Sequence, residues 1–117
     1  MIQKQLALVE KLMSGEGVLK RTEAVVVEVF TYTEAIIEAK DFQIMFDDGF
    51  DAEFVAERFD RIGHRMAAST IRLAHRIACT LPCDHTLEFL AYAFCQMEIT
   101  ILQKLEAYEK EHGMYGL

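Results

Sequence analysis

The stretch Val25-Val26-Val27-Glu28-Val29, followed without a turn residue by Phe30-Thr31-Tyr32 and then Thr33-Glu34-Ala35-Ile36-Ile37-Glu38-Ala39, decides the fold class. Its β-branched opening favours a strand. Its length and its Glu/Ala-rich continuation favour a helix, because strands rarely run so far without punctuation. Apolar residues at Leu19, Val26, Phe30 and Ile37 recur near the helical period. The segment therefore reads as a long helix.

Working outward, turn signals divide the rest of the chain. Gly15 and Gly17 close an amphipathic stretch over residues 2–13, Asp48 and Gly49 mark a second break, and Pro82 marks a third. Asp51 is positioned as an N-cap, with Glu53 in the first turn behind it. Val55, Phe59, Ile62, Met66, Leu73 and Ile77 then predict one continuous helix as far as Pro82, since the residue before proline disfavours helix. From Asp84 a last helix carries the stripe Leu87, Leu90, Ala91, Phe94, Ile101, Leu105 and Tyr108, with Gln96, Gln103 and Glu106 on its other side. The expectation is an all-α antiparallel helical bundle of three long helices plus a short N-terminal helix, with residues 1–117 forming a single domain. Residues 41–50 hold Phe42, Ile44, Met45, Phe46 and Phe50. So apolar a connection is expected to fold back and plug the bundle, or else to be sticky surface.

Composition narrows the function classes. The hydrophobic fraction of 52% supports a real core, and 12 basic against 19 acidic residues give a net charge of −7. A chain of this balance with no Lys/Arg run has no electrostatic footprint for nucleic acid. No run approaches the ~18 apolar residues of a membrane span. The three cysteines, Cys79, Cys83 and Cys95, do not form an even disulfide framework, and the N-terminal stretch with Lys4, Glu10 and Lys11 lacks the pattern of a secretory signal. A cytoplasmic location is expected.

Several positions stand out on the expected third helix. Asp60, His64, Ile71 and His75 fall on one face, nearly opposite the Val55–Ile77 stripe and beside Ala67, Ala74 and Ala78. A helix apolar on two sides is buried on two sides, so this face is expected in the bundle interior or against another copy of the chain. His64 and His75 are eleven residues apart, about 16 Å along a helix, too far to share one metal unaided. Glu98 lies inside the last helix's stripe between Phe94 and Ile101. A buried carboxylate needs a partner, for which Arg72, His64 and His75 are the candidates. A Glu98–His pair would suit metal or ligand binding. His75, Cys79, Cys83 and His85 also gather four soft ligands within eleven residues, although their spacing is not that of the familiar zinc fingers. The chain holds no Gly-rich phosphate loop, no CxxC, no HExxH and no GxSxG.

The stretch Ile62-Gly63-His64-Arg65-Met66-Ala67-Ala68-Ser69-Thr70 resembles the phosphorylated motif of histidine phosphotransfer domains, which are helical bundles of about this length. The resemblance rests on His64, Met66, Ala68 and Ser69; Ala67 stands where that family has Lys, and the Leu-Gly turn that follows there is missing. It implies an exposed His64 imidazole that takes a phosphoryl group from a response-regulator aspartate.

The leading expectation is a small acidic non-enzymatic interaction domain, pairing with a protein partner or itself as a homodimer. Its interface candidates are Asp60, His64, Ile71, His75, Phe42, Met45 and Phe46, with no cofactor and neither nucleic acid nor membrane as partner. Phosphotransfer through His64 and a metal or ligand site built from Glu98 with His64 or His75 are the alternatives.

Overall fold

The computed structural model describes residues 21–80 and 84–112. Among them the chain is all-helical: α1 Arg21–Ala39, α2 Phe42–Asp47, α3 Ala52–Arg61, α4 Arg65–Thr80, α5 Asp84–Cys95 and α6 Glu98–Glu111. None of these helices is long and apolar enough to cross a membrane. The short helix expected over residues 2–13 lies outside the described residues.

The β-branched run is helical because its neighbours bury it on most sides. Val25, Val26, Val27 and Val29 are all in the core, as is Ile36 one turn from the end of α1. The Thr33 hydroxyl is also buried and donates to the Val29 carbonyl at 2.7 Å, so its polar group is satisfied within the helix. α1 ends at Lys40, whose backbone is left-handed at φ 57°, and Asp41 then caps α2 by accepting the Gln43 amide at 2.9 Å. The apolar connection thus contains a short helix that inserts into the core. Phe42 is fully buried, and Met45 and Phe46 pack against the core. The Phe42 ring meets Phe94 edge-on at 6.2 Å, and Phe94 meets Phe59 edge-on at 5.6 Å. Three rings thereby join α2, α5 and α3 in the geometry aromatic quadrupoles favour.

The expected continuous third helix is two helices. α3 starts as anticipated, with the Asp51 carboxylate accepting the Phe54 amide at 3.0 Å. It stops at Ile62. The Gly63 amide bonds the Asp60 carbonyl at 3.0 Å and the His64 amide bonds the Phe59 carbonyl at 2.9 Å. Gly63 sits at φ +85°, the left-handed position that closes a helix in this way. Gly49, at φ +89°, ends α2 with the same pair of bonds, from Gly49 to Phe46 and from Phe50 to Met45.

The break at Gly63 resets the helical phase. Val55, Phe59 and Ile62 are buried as expected, yet Met66 is 67% and Leu73 45% exposed. The core face of α4 is instead Ala67, Ala68, Thr70, Ile71 and Ala74, a small-residue surface packed on α3. The helix expected after Asp84 is interrupted too, at Gln96-Met97, but its stripe survives. Leu87, Ala91, Phe94, Ile101 and Leu105 are all fully buried, and Tyr108 nearly so. Here the chain tightens without reversing: the Met97 amide bonds the Phe94 carbonyl at 2.9 Å and the Ile101 amide returns to Met97 at 2.8 Å. The first long helix stands as α1, and each of the other two expected rods is replaced by a pair of shorter helices.

Gly63→Ala tests the turn. A methyl at Gly63 would meet nothing nearer than the Lys104 Cδ at 4.0 Å, so the expected cost is conformational. It should be roughly 1–2 kcal/mol, the strain of a left-handed L-residue. Urea unfolding measures it, and an unchanged midpoint would contradict the role given to Gly63.

Candidate functional site

His64 is the residue around which the third segment turns. It is buried, at 7% exposure, and it caps α4. Its carbonyl accepts the first intrahelical bond from the Ala68 amide at 3.3 Å, and its ring Nδ1 accepts the Ala67 amide at 3.1 Å. That is the bond an N-cap Ser or Asp normally supplies. Nε2 lies 2.8 Å from the Thr100 hydroxyl on α6. The Thr100 hydroxyl donates to the Met97 carbonyl at 2.8 Å. Its one hydrogen is thus committed, so its oxygen must accept from Nε2–H. The partners on both sides define the neutral imidazole with the proton on Nε2. Burial holds the ring below its usual pKa, and the Lys104 ammonium pushes in the same direction.

This arrangement corrects the reading of His64 as an exposed phosphoryl acceptor. The ring is buried and both nitrogens are engaged. Asp60 does not pair with it either. Arg72 on α4 takes the Glu53 carboxylate with two bonds of 3.1 and 3.0 Å and the Asp60 carboxylate at 2.8 Å, stapling α4 to both ends of α3. The Arg72 bonds hold Glu53 below the usual carboxylate range. Arg58 makes a comparable link from α3 to α1 through Glu28 at 2.7 Å.

The turn separates Asp60 from the other three residues expected on its face. Asp60 is exposed at the end of α3, His64 is a buried cap, Ile71 is fully buried and His75 is exposed. His75 lies 3.4 Å from the Cys79 sulfur through Nε2 and packs edge-on against Phe46 at 5.3 Å. His85 is exposed on α5, and Cys83 lies outside the described residues. Among the described residues no three His, Cys, Asp or Glu side chains converge on a metal-sized space. Glu98 is half-buried in the first turn of α6, where its charge suits the helix N-terminus. No hydrogen bond or ion pair among the described residues joins it to His64, His75 or Arg72. Its neighbour is Cys95, whose thiol is raised by burial and by the Glu98 charge. The sequence pattern did not single out Glu23 and Glu109, which are buried and engaged by neighbouring groups.

The outward surface is less ordinary than the interior. Met66, Phe89, Tyr92 and Ile99 are each more than three-fifths exposed. Tyr92 borders a half-open groove of about 440 Å³ between α1 and α5, lined also by Ile37, Lys40, Glu88, Cys95 and Gln96. The lining is mostly apolar in chemistry, with one ammonium and one carboxylate at its edges. Compared with models of known families, with curated proteins and with solved structures, the chain matches none.

The buried neutral ring gives a signed pH dependence. A folded-state pKa below the unfolded value of about 6.5 means the unfolded chain takes up the proton first as pH falls. The stability His64 contributes is complete above that range and declines below it, until the folded ring protonates as well. His64→Asn keeps a capping oxygen and removes the titration, so it should lose this part of the acid sensitivity. His64→Ala should cost about 1–2 kcal/mol at neutral pH, as for other lost caps. Unfolding free energies from pH 8 to 5 decide the matter; equal pH slopes for wild type and His64→Asn would refute the assignment.

Proposed function

We propose that this chain is a small, acidic, non-enzymatic interaction domain of the cytoplasm that self-associates by covering its outward apolar side chains. The observation that carries this reading is the exposure of Met66 at 67%, Phe89 at 66%, Tyr92 at 64% and Ile99 at 71%. Scattered apolar residues are ordinary on a protein surface. Four this large and this open, two of them one turn apart on α5 and one bordering a groove, are the raw material of an interface. The buried histidine, His64, is occupied as a helix cap. Phosphotransfer needs an accessible imidazole nitrogen, and His64 offers none.

Sedimentation equilibrium at rising concentration tests the proposal. The wild-type mass should climb above the monomer value. Phe89→Asp with Tyr92→Asp, both at exposed sites, should keep helical circular dichroism and return the mass to that of the monomer. A wild-type chain that stays monomeric throughout would overturn the reading.

A further inference from the structure

The outer surface divides by charge along the helices. α4 contains Arg65, Arg72 and Arg76 and no acidic residue, in a chain of net charge −7. Arg72 is taken up by Glu53 and Asp60. Arg65 and Arg76 are exposed, and among the described residues neither has an ion-pair partner. They stand on the outward side of α4 beside Met66 and Leu73, which are seven residues and about 10 Å apart. α4 therefore presents an apolar ridge edged with cations. The groove between α1 and α5 has more carboxylates than cations near it. It is lined by Tyr92 and the half-buried Ile37 with Glu88 and Lys40, and α1 exposes Glu34 one turn before Ile37 and Glu38 directly after it. From Glu88 to Cys95 its α5 wall also runs seven residues, about 10 Å.

We propose that α4 of one copy seats in the α1–α5 groove of a second copy, Met66 and Leu73 entering beside Tyr92 while Arg65 and Arg76 face Glu88 and Glu34. The inference rests on the self-association proposed above and names its mode. A symmetric contact of α4 with its own copy is disfavoured by charge. Run antiparallel, it would set Arg65 and Arg76 against Arg76 and Arg65, four guanidinium groups with no carboxylate on either helix. The complementary faces lie on different helices, so the contact is head-to-tail. Such a contact repeats into a chain or ring of copies and weakens as salt screens the charges.

Two variants with one spoiled face each separate this mode from others. Met66→Glu with Leu73→Glu spoils the ridge; Glu88→Arg with Tyr92→Lys spoils the groove. All four positions are exposed, and circular dichroism and thermal melting serve to check that both variants fold. Each variant alone should associate at least tenfold more weakly than wild type in sedimentation velocity. Mixed in equal amounts they should form a discrete dimer, since each still offers the face the other needs. If wild type associates but the groove variant still pairs alone, or the mixture stays monomeric, the head-to-tail mode is wrong and the self-association reading stands. If wild type itself is monomeric, both fall.

Discussion

The turn at Ile62-Gly63-His64 is the constraint on which the surface of this protein depends. A helix continuing through it would have buried Met66 and Leu73 with Val55 and Phe59. Gly63 instead takes the left-handed conformation, closes α3 and restarts the helical count at His64. The new phase turns Ala67, Ala68, Ile71 and Ala74 inward and leaves Met66, Leu73 and two arginines in water. His64 secures the restart twice, by capping α4 with Nδ1 and by tying it to α6 through Thr100. A histidine does this well only while neutral: the cap needs a lone pair on Nδ1, and a protonated ring would aim a second N–H at the Ala67 amide. The burial that comes with this structural role also lowers the ring's proton affinity.

The two helix breaks differ in consequence because their chemistry differs. At Gly63 a residue without a side chain allows a reversal of backbone handedness, and the phase is lost. At Gln96-Met97 no residue adopts a left-handed backbone, one bond shortens to the i−3 carbonyl, and the stripe from Phe94 to Ile101 carries on. The second break is a bend within one amphipathic face. That continuity keeps Phe94 in the core, where it sits between the Phe42 and Phe59 rings. The apolar connection after α1 is thereby drawn inward, since Phe42 has an aromatic surface to meet.

Much of this was legible in the residues, and the failures have identifiable causes. The all-helical class followed from length and composition against a β-branched run, and the stripe Leu87 to Tyr108 was correct almost residue by residue. The Asp51 cap was readable because carboxylate capping is local chemistry. Within α1, Ile36 proved to be the buried member of the Ile36-Ile37 pair. A helix enclosed on most sides has too little amphipathic contrast for periodicity to decide. Gly63 could have been read as a helix stop, but an isolated glycine in a helical pattern is ambiguous. Missing it placed Asp60 on a face it does not share with His64, Ile71 and His75, and placed Met66 and Leu73 in the core. The Thr100 contact spans 36 residues, and no local spacing announces it.

The same turn explains why an acidic chain keeps a cationic helix. Arg72 is bound inward to Glu53 and Asp60 and is structural; Arg65 and Arg76 face outward and contribute no such staple. Charges of this kind set orientation and encounter rate more than they set affinity. Affinity has to come from the apolar residues. Each large side chain brought from full exposure to burial contributes about 1.5–3 kcal/mol, and association first costs at least about 4 kcal/mol in lost freedom of motion. A contact built on Met66, Leu73 and Tyr92, already partly covered in the single chain, returns roughly 3–5 kcal/mol, about the least that association costs, so these three side chains alone support only weak pairing. The physical expectation is a reversible assembly, responsive to concentration and to salt, whose geometry is selected by charge.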